Sequence, residues 1–403
     1  MKLFADLHLH SKYSRATSPQ MDIEHLSKYG VMKGLSVLGT GDFTHPVWLK
    51  NLKEKLAYSD GIYTYDEMFF IPTSEISLVY KQGKTRKIHL LVLAPNFETV
   101  DQINEWLDTK GRRDYDGRPI FGFTCPEFVE AMMSISKDIE IIPAHAWTPW
   151  FGIFGSMSGF DSLEECFQDQ LKHIHALETG LSSDPKMNWR LSALDKYTLV
   201  SNSDSHSPWP HRIGREANVF DFKKISYANI IKSIRTRKNF LYTIEVDPAY
   251  GKYHYDGHRA CNISLSPKES IKLNNICPKC GRPLTIGVEH RVEELADRPS
   301  GFIPKHAIQF KSLIPLEEII SSVTGFGLMT NKVREKYDKF IRTFGNEFFI
   351  LLEAEKEKLE KVDKKITHLI LASREGKLKI EPGYDGVYGK LILKKLSGLR
   401  DFV

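Results

Sequence analysis

Histidine and carboxylate side chains lie in or just after successive apolar runs in the first half of this sequence. The runs are FADLHLH, LSVLGTGDFTH, FFIPTSEIS, KIHLLVLAP, IIPAHAW and LVSNSDSH. Imidazole and carboxylate together are typical ligands of zinc, manganese and iron. If these side chains meet on one face, they form a multinuclear metal site, and the chain is an enzyme. The nine candidate ligands are His8, His10, Asp42, His45, Glu75, His89, His145, Asp204 and His206.

Spacing supports some of these candidates more than others. His8 and His10 are two residues apart, so on a strand they point to the same side and can bind one ion. Asp204 and His206 repeat that spacing after another apolar run. Glu75 could bridge two ions.

Other candidates leave alternatives open. His89 lies inside an apolar strand, where a buried core histidine fits as well as a ligand, and His45 precedes Pro46 and could simply start a helix. His145 ends its run, which favours a functional role. Asp6 could orient a ligand from behind, as carboxylates often do at metal sites, and Glu178 could either do the same or be a further ligand.

The elements that must position these groups alternate along the chain up to about residue 245. Strands alternating with helices predict an α/β barrel or sheet with parallel pairing, whose catalytic groups lie at the C-terminal strand ends. The segment KQGKT predicts a hairpin between two strands, which would distort a regular barrel. The strand-like runs are 2–7, 35–40, 69–80, 87–94, 139–144, 174–179 and 198–202. The helix-like runs are 22–33, 46–57, 98–109, 126–136, 162–171 and 226–237.

A second group of potential ligands follows in a segment rich in glycine, proline and turn residues. Cys277 and Cys280 form a CxxC pair, and His258 and Cys261 have the same spacing upstream. Four such ligands predict a closed, tetrahedral, structural zinc site. His254 and His290 are the alternative fourth ligands. We therefore divide the chain into a barrel (1–245), a zinc-binding module (246–304) and a mainly helical, basic C-terminal region (305–403).

Bulk properties limit the class of protein. The 403 residues are 41% hydrophobic and 27% charged, and no stretch approaches the roughly 18 apolar residues of a membrane span. A strand follows the first residue at once, so we expect no signal peptide and a cytoplasmic location. Residues 1–204 carry 21 basic and 27 acidic side chains, whereas residues 205–403 carry 35 and 24. The basic half suits a polyanion, with nucleic acid ahead of membrane, although solvated lysine faces are the alternative.

The order HLH, GTGDFTH, SEIS, a strand histidine, PAHAW and SDSH resembles the PHP (polymerase and histidinol phosphatase) superfamily. The resemblance implies a distorted seven-stranded (β/α) barrel whose trinuclear metal site hydrolyses phosphoesters. It implies that Glu75 bridges two ions. The first ion would also bind His8, His10 and Asp204, the second His89 and His145, and the third His206 with Asp42 and His45 of the GDFTH segment.

The sequence departs from the superfamily pattern around the third ion. Phe43 follows Asp42 where many members have histidine, and SRATS stands where a further histidine is common. Arg15 lies there and could face a phosphate. Ions about 3.5–4 Å apart polarise a phosphate and lower the pKa of bound water, so no serine or cysteine nucleophile is needed. The residues expected to act most directly are Glu75, Asp204, His206 and Asp42.

Further motifs resemble the endonuclease Q family over the whole chain: GTGDFTHP, YHYDGHRAC, CPKCG, LTIGVEHRV and PGYDGVYGKL. That resemblance implies cleavage of DNA on the 5′ side of deaminated bases (hypoxanthine, uracil, xanthine) and abasic sites. Such an enzyme extrudes the base into a pocket, which the loop 147–159 could border. The C-terminal helices would then bind DNA, and the candidates for DNA contact are Arg15, Arg259, Tyr384 and Tyr388.

The same resemblance sets the expected cofactors and partners. We expect zinc in the structural site and in the catalytic site, with Mg²⁺ or Mn²⁺ as the alternative at the third position. The expected partner is lesion-bearing DNA, with a sliding clamp as a further candidate, and we expect a monomer. Two other functions stay open. A small-molecule phosphoesterase of the same superfamily would not need the basic half, and a non-catalytic nucleic-acid-binding protein would not need the intact ligand set.

Overall fold

The structure is a computed structural model that describes residues 1–392; residues 393–403, the end of the predicted C-terminal region, lie outside the described residues. Up to residue 245 helices separate most of the strands, but β3 to β7 follow one another without a helix, and so do β11 and β12. Strands β1 to β13 are Lys2–Asp6, Val37–Gly39, Ala57–Ser59, Ile62–Tyr65, Met68–Ile71, Thr73–Gln82, Lys84–Leu93, Ile120–Phe121, Glu140–Pro143, Ala176–Glu178, Thr198–Val200, Ala217–Asp221 and Phe240–Glu245. Helices α1 to α7 are Ile23–Lys33, Pro46–Lys55, Phe97–Asp108, Cys125–Ile135, Leu163–Phe167, Pro185–Asn188 and Tyr227–Thr236.

From residue 246 to residue 392 the chain forms five short strands and seven α-helices. Strands β14 to β18 are Asp256–His258, Ile263–Leu265, Gln309–Ser312, Lys379–Glu381 and Lys390–Ile392. Helices α8 to α14 are Pro267–Lys272, Val288–Leu295, Leu316–Thr324, Asn331–Phe344, Glu347–Leu352, Lys356–Glu360 and Lys364–Arg374. Across residues 1–392, every helix is too short or too polar to cross a membrane.

Three sheets make up the first part of the molecule. The largest has eight strands in the order β16-β13-β12-β1-β2-β5-β4-β3, the second has four in the order β8-β6-β7-β9, and β10 and β11 form a parallel pair. Strands β1, β2 and β5 are parallel, as predicted, but β12 runs antiparallel to β1 and to β13. The expected parallel pairing therefore holds for β1, β2 and β5 but not on the other side of β1, where β12 and β13, which the sequence analysis did not predict, complete the sheet.

The predicted hairpin is confirmed, and it separates two sheets. Strands β6 and β7 pair antiparallel along their full length, from Thr73 opposite Leu93 to Gln82 opposite Lys84. The run 69–80 is two strands, because Pro72 has no N–H to donate and the chain changes sheets there. Strand β5 continues the large sheet and β6 enters the four-stranded one. This change of sheet brings Glu75 beside the exit of β1.

The C-terminal helices share one hydrophobic core with the first part of the chain. Leu26 of α1 and Trp48 of α2 belong to the same buried cluster as Leu316, Tyr337 and Ile366. In this layer the Lys33 ammonium lies 2.7 Å from a carboxylate oxygen of Glu347, with both side chains almost fully buried. Strand β16 also adds to the large sheet beside β13. The helical region is thus joined to the sheet that carries the site.

Candidate metal centre

Glu75 lies at the start of β6 with its carboxylate fully buried among imidazoles. Its Oε1 is 2.7 Å from Nδ1 of His89 and 2.9 Å from Nε2 of His145. On the other side, Nε2 of His8 lies 3.7 Å from Oε1 and Nε2 of His10 lies 3.6 Å from Oε2. A carboxylate that faces histidines on two sides has the arrangement expected of a bridging ligand.

The second set of donors comes from the exits of β1 and β11. Nε2 of His10 lies 2.9 Å from Oδ1 of Asp204, and Nε2 of His8 lies 3.7 Å from the same oxygen. A parallel bridge between Leu9 and Ser205 aligns the two segments. The structure thus brings together two groups whose donor atoms lie within 4.8 Å of one another. They are His8, His10 and Asp204, and Glu75, His89 and His145.

One donor atom in this centre fits a metal ion directly. Nε2 of His8 is buried and has no hydrogen-bond partner, although it faces both carboxylates. An unpaired buried polar atom costs free energy unless a ligand satisfies it. Its environment is a ring of imidazoles and carboxylates, so the residues present fit a metal ion.

Carboxylates behind the centre fix the orientation of the imidazoles. Both oxygens of Glu178 lie within 3.1 Å of Nδ1 of His8, and Oε2 also accepts the backbone N–H of His145 at 2.7 Å. Asp6 accepts the backbone N–H groups of Ser203 and Gly214 at 3.0 and 2.8 Å. These contacts hold the segment that carries Asp204.

Backbone strain is concentrated at the same place. Asp42, His145 and Asp204 have φ values of 49°, 31° and 48°, in the left-handed region that residues with a Cβ rarely adopt. Gly180, also at positive φ, packs so closely that a Cβ there would lie 2.7 Å from Cβ of His145. Non-glycine residues held in this conformation are typical of functional sites.

The residues predicted for a third ion occupy different surroundings. Asp42 lies behind His10, with Oδ1 3.1 Å from Nδ1 of that residue and Oδ2 accepting the Ser14 hydroxyl at 2.9 Å. The ring of His206 lies 4.4 Å from that of His10. His45 starts helix α2 and stacks on Tyr13. Within residues 1–392 these three residues belong to neither donor group, because Asp42 is engaged by protein donors and His45 packs on an aromatic ring.

Sequence reasoning missed one charged residue of the centre. Arg118 lies in the loop between α3 and β8, with one guanidinium nitrogen 3.2 Å from Oε2 of Glu75. The loop has no periodic pattern, and β8, which pairs parallel with β6, is only two residues long. The signal that could have revealed Arg118 is an arginine next to a proline in a polar loop, which is too common to be selective.

The electrostatics of the centre favour cations. Burial alone would raise the pKa of Glu75, but His89, His145 and His8 outweigh it and hold that pKa well below the usual range. The pKa of Asp204 is also lowered, because the effects of His10 and His8 exceed that of burial. Burial lowers the pKa of His89 to about 4, which leaves its imidazole neutral and able to donate a lone pair. Two carboxylates therefore stay ionised inside the protein, which requires positive partners.

The cysteine module places a second set of donors together. Ligand atoms of His258, Cys261, Cys277 and Cys280 all lie within 4.8 Å of one another. Burial favours the neutral Cys277 thiol, but the backbone N–H groups of Lys279 and Cys280 lower its pKa to about 6, toward the thiolate that binds metals.

The alternative histidine ligands of the module have other partners. Nε2 of His254 lies 3.2 Å from Glu289, and Nδ1 of His290 lies 2.5 Å from Asp256. The structure therefore brings His258, and neither alternative, into the donor group.

The four candidates for DNA contact lie in different settings. Arg15 is 76% exposed and pairs with Asp116. The Arg259 backbone N–H donates to Asp385, and the Tyr384 hydroxyl donates to Asn262 at 2.7 Å, so both hold the C-terminal segment against the module. Tyr388 is exposed and lines a cavity described below.

Solved structures match this arrangement along the whole chain. The crystal structure of the lesion-specific endonuclease PfuEndoQ from Pyrococcus furiosus aligns with a TM-score of 0.90 and 33% identity, covering 100% of this chain and 98% of that one. The chain belongs to the endonuclease Q family. An endonuclease Q complex with a 27-mer duplex carrying an abasic lesion at the active site aligns with a TM-score of 0.88 and 33% identity, covering 98% and 97% of the two chains.

Curated relatives agree with membership of the endonuclease Q family but carry no assigned function. Residues 315–377 match the family described as the MJ0043 C-terminal domain. An uncharacterized protein of Methanocaldococcus jannaschii, MJ0043, is 36% identical over 255 residues, which is 62% of this chain but only 32% of that protein. The uncharacterized protein YqxK of Bacillus subtilis is 27% identical over 414 residues, covering 97% of this chain and 99% of the relative.

Proposed function

We propose that this protein is a metal-dependent DNA endonuclease that hydrolyses the phosphodiester on the 5′ side of deaminated bases and abasic sites. The observation that carries the proposal is the double donor group around Glu75, in a chain that aligns end to end with a lesion-specific endonuclease. In the endonuclease Q complex, the bound duplex has an abasic lesion at the active site of the enzyme. This supports the same substrate class for this chain.

We assign one ion to His8, His10 and Asp204 and another to His89 and His145, with Glu75 between them. Zinc suits this donor set, and Mg²⁺ or Mn²⁺ is the alternative at the third position, where His206 lies beside His10. When bound, such ions would polarise the scissile phosphate and lower the pKa of a water molecule.

The protein's part is to present each imidazole with its lone pair toward the centre. Glu178 lies against Nδ1 of His8, Asp42 against Nδ1 of His10 and the Thr148 hydroxyl against Nδ1 of His145. Nε2 of each ring instead faces the carboxylates of the centre, Glu75 or Asp204. With metal bound, a proton on each Nδ1 would be held by its partner and each Nε2 would be the ligand atom.

A cavity of about 460 Å³ beside the centre suits an extruded base. It lies where barrel, module and C-terminal region meet, and Trp150, Tyr250, Tyr253 and Tyr388 line it. Thr148 in its wall contacts His145, and Arg215 in its wall donates to the carbonyl of Ser203, next to Asp204. Aromatic walls stack on bases, so the cavity can hold the base while its phosphate lies at the metal centre.

The polar lining matches what deaminated bases have in common. Deamination replaces an amino donor by a carbonyl acceptor, and the product has a ring N–H donor next to that carbonyl. Arg212 and Arg215 supply donors and Glu318 supplies an acceptor in the same cavity. Burial raises the pKa of Glu318, and the nearby arginines oppose that shift. A normal adenine or cytosine would present its amino group to the arginines, which favours rejection.

The finer architecture is part of the proposal. We assign the three sheets and their helices to a distorted PHP-type barrel over 1–245, a structural zinc to the module over 246–304, and DNA binding to the basic region over 305–403. The excess of 35 basic over 24 acidic side chains in residues 205–403 supports a clamp on the phosphate backbone.

Cleavage of labelled duplexes tests the proposal. Duplexes with one deoxyinosine, deoxyuridine or abasic site are incubated with the protein, with and without chelator, beside an undamaged duplex and a small phosphomonoester. A nick 5′ to the lesion that chelator abolishes supports the proposal. Hydrolysis of the phosphomonoester alone would favour the small-molecule alternative, and binding without cleavage would favour the non-catalytic one.

The cavity assignment has its own test. Glu318→Gln should reduce cleavage at deoxyinosine by about tenfold, as expected for one lost charged hydrogen bond, and leave cleavage at an abasic site unchanged. Equal loss on both substrates would contradict base recognition by this cavity.

A further inference from the structure

Arg118 faces the metal centre on the side where a third ion was expected. Its guanidinium nitrogen lies 3.2 Å from Oε2 of Glu75, the oxygen that faces His10 at 3.6 Å. Only 26% of the Arg118 side chain is exposed, so its charge is held inside the site.

The loop that carries Arg118 is fixed by contacts with other site segments. Asp116 accepts the Arg118 backbone N–H at 3.1 Å, and its other oxygen lies 3.3 Å from Nε of Arg15. Gly117 donates to the carbonyl of Tyr13 at 3.1 Å, and a Cβ on this glycine would lie 2.2 Å from Oδ2 of Asp42. The arginine is therefore pre-positioned, because the loop is held against the residues that orient His10.

While no metal ion is bound, the attraction between Arg118 and the Glu75 carboxylate is enough to explain an arginine at this position. Once ions occupy the donor groups, the carboxylate is engaged and the guanidinium needs another anion. A guanidinium carries five N–H donors in a planar fork that matches phosphate geometry. In a DNA substrate, the anion that reaches this centre is the scissile phosphate.

We propose that Arg118 is a further catalytic residue that binds a non-bridging oxygen of the scissile phosphate, supplying fixed positive charge where Asp42 and His45 do not assemble a third donor group. This inference rests on the proposed endonuclease function. Arg15 pairs with the same Asp116 but is exposed, so it could contact a neighbouring phosphate of the DNA backbone.

A duplex with an uncharged scissile phosphate can show whether Arg118 binds that phosphate or only stabilises the site. Binding of Arg118→Gln and Arg118→Lys to a lesion duplex is measured by fluorescence anisotropy, with the bridging oxygen at the scissile position replaced by methylene, which prevents cleavage and keeps the phosphate charge. A second duplex carries a neutral methylphosphonate at the scissile position. Arg112→Gln is the control, since Arg112 lies in the same loop with 78% exposure and pairs with Asp114.

Arg118→Gln should weaken binding of the charged duplex about 10- to 100-fold, the range of a charged hydrogen-bond pair, and leave methylphosphonate binding unchanged. Arg118→Lys should restore part of the loss, and Arg112→Gln should change both duplexes equally and slightly. In the active background Arg118→Gln should lower kcat more than it raises KM.

Two results would overturn the inference. Equal loss on both duplexes, or loss of bound ions from Arg118→Gln by elemental analysis, would show that Arg118 only holds Glu75 in place. The parent protein reports separately on the proposed function. If it neither binds nor cuts lesion duplexes, that function fails whatever the Arg118 variants do.

Discussion

The metal centre and the cysteine module are both clusters of potential ligands, but they are built in opposite ways. The centre takes its donors from segments as far apart as His8 and Asp204, and buries them at strand ends. The module takes four donors from one short segment, His258 to Cys280, with Cys280 exposed. The first set leaves a buried nitrogen of His8 without a partner, whereas the second has one histidine and three cysteines, the ligand types and number of a closed zinc site.

This difference separates what each cluster can do. A closed four-ligand site stabilises its own loops and leaves no position for a substrate. A centre with strained residues, an open donor and a neighbouring arginine would leave its ions able to take a further ligand. The donors of the centre meet only when the fold has formed, whereas those of the module come from neighbouring turns.

The largest effect is expected from Glu75→Gln. The amide keeps the shape of the side chain but removes the charge that faces both donor groups, so cleavage of lesion DNA should fall by on the order of 10³-fold or more. Single-turnover cleavage measures this, together with ions bound per protein.

Glu140→Gln is a matched control. Glu140 is also fully buried, on β9, but it lies 2.6 Å from Nε of Arg235 and 3.1 Å from Nδ1 of His175, outside the centre. It should lower the free energy of unfolding and leave single-turnover chemistry intact. Equal loss of chemistry in both variants would show that any buried carboxylate in these sheets has the same effect.

The double substitution Cys277→Ser and Cys280→Ser in the module should lower stability and leave the chemistry of cleavage intact. Loss of the structural ion removes several kcal/mol of folding free energy from the module, so residues near 258–280 should become sensitive to protease. DNA affinity should fall, but cleavage at saturating DNA should persist. Loss of chemistry at saturation, with the ions of the centre still bound, would contradict a purely structural module.

Residue spacing predicted the locally built cluster. For the dispersed cluster, the pattern of residues at the strand ends predicted the candidate ligands, and the resemblance predicted how they group around each ion. The spacing of Cys277 and Cys280 is a local property, and only the choice between His258 and the alternatives needed the fold. The six helices predicted up to residue 245 are present near their predicted bounds, because caps and apolar periodicity are also local; the short helix α6 was not predicted. Strand pairing is not local. The antiparallel strands beside β1 and the contact between Arg118 and Glu75 depend on how distant segments meet, which no single run reveals.

A smaller effect is expected behind the centre, from Glu178→Gln. In Glu178, one carboxylate oxygen faces Nδ1 of His8 and also accepts the backbone N–H of His145. An amide has only one acceptor oxygen and no charge, so it holds the Nδ1 proton of His8 less strongly. Loss of such a supporting carboxylate lowers metal affinity about 10- to 100-fold. Chelator competition measures this, with the exposed Glu67→Gln as control. Unchanged affinity would mean that Glu178 supports the fold and not the ligands.

The smallest effect concerns the pH dependence of stability beneath the centre. Glu245 is fully buried and accepts from Thr179, next to Glu178. Burial raises its pKa to about 8 despite hydrogen bonds from Thr243 and Thr179, and burial with the charge of Glu245 raises the pKa of Glu216. The folded protein therefore binds protons that the unfolded chain, with ordinary glutamates near 4.5, has released.

The sign follows from this difference. Between about pH 4.5 and 8 the folded state holds more protons, so stability falls as the pH rises, by up to about 1.4 kcal/mol per pH unit for each such group. Glu245→Gln should flatten the fall between pH 6 and 8, as measured by urea unfolding of the metal-free protein. The cysteine double variant, whose change lies in the module, should keep the original slope. If that variant flattens the slope and Glu245→Gln does not, the buried pair beneath the centre is not the origin of the pH dependence.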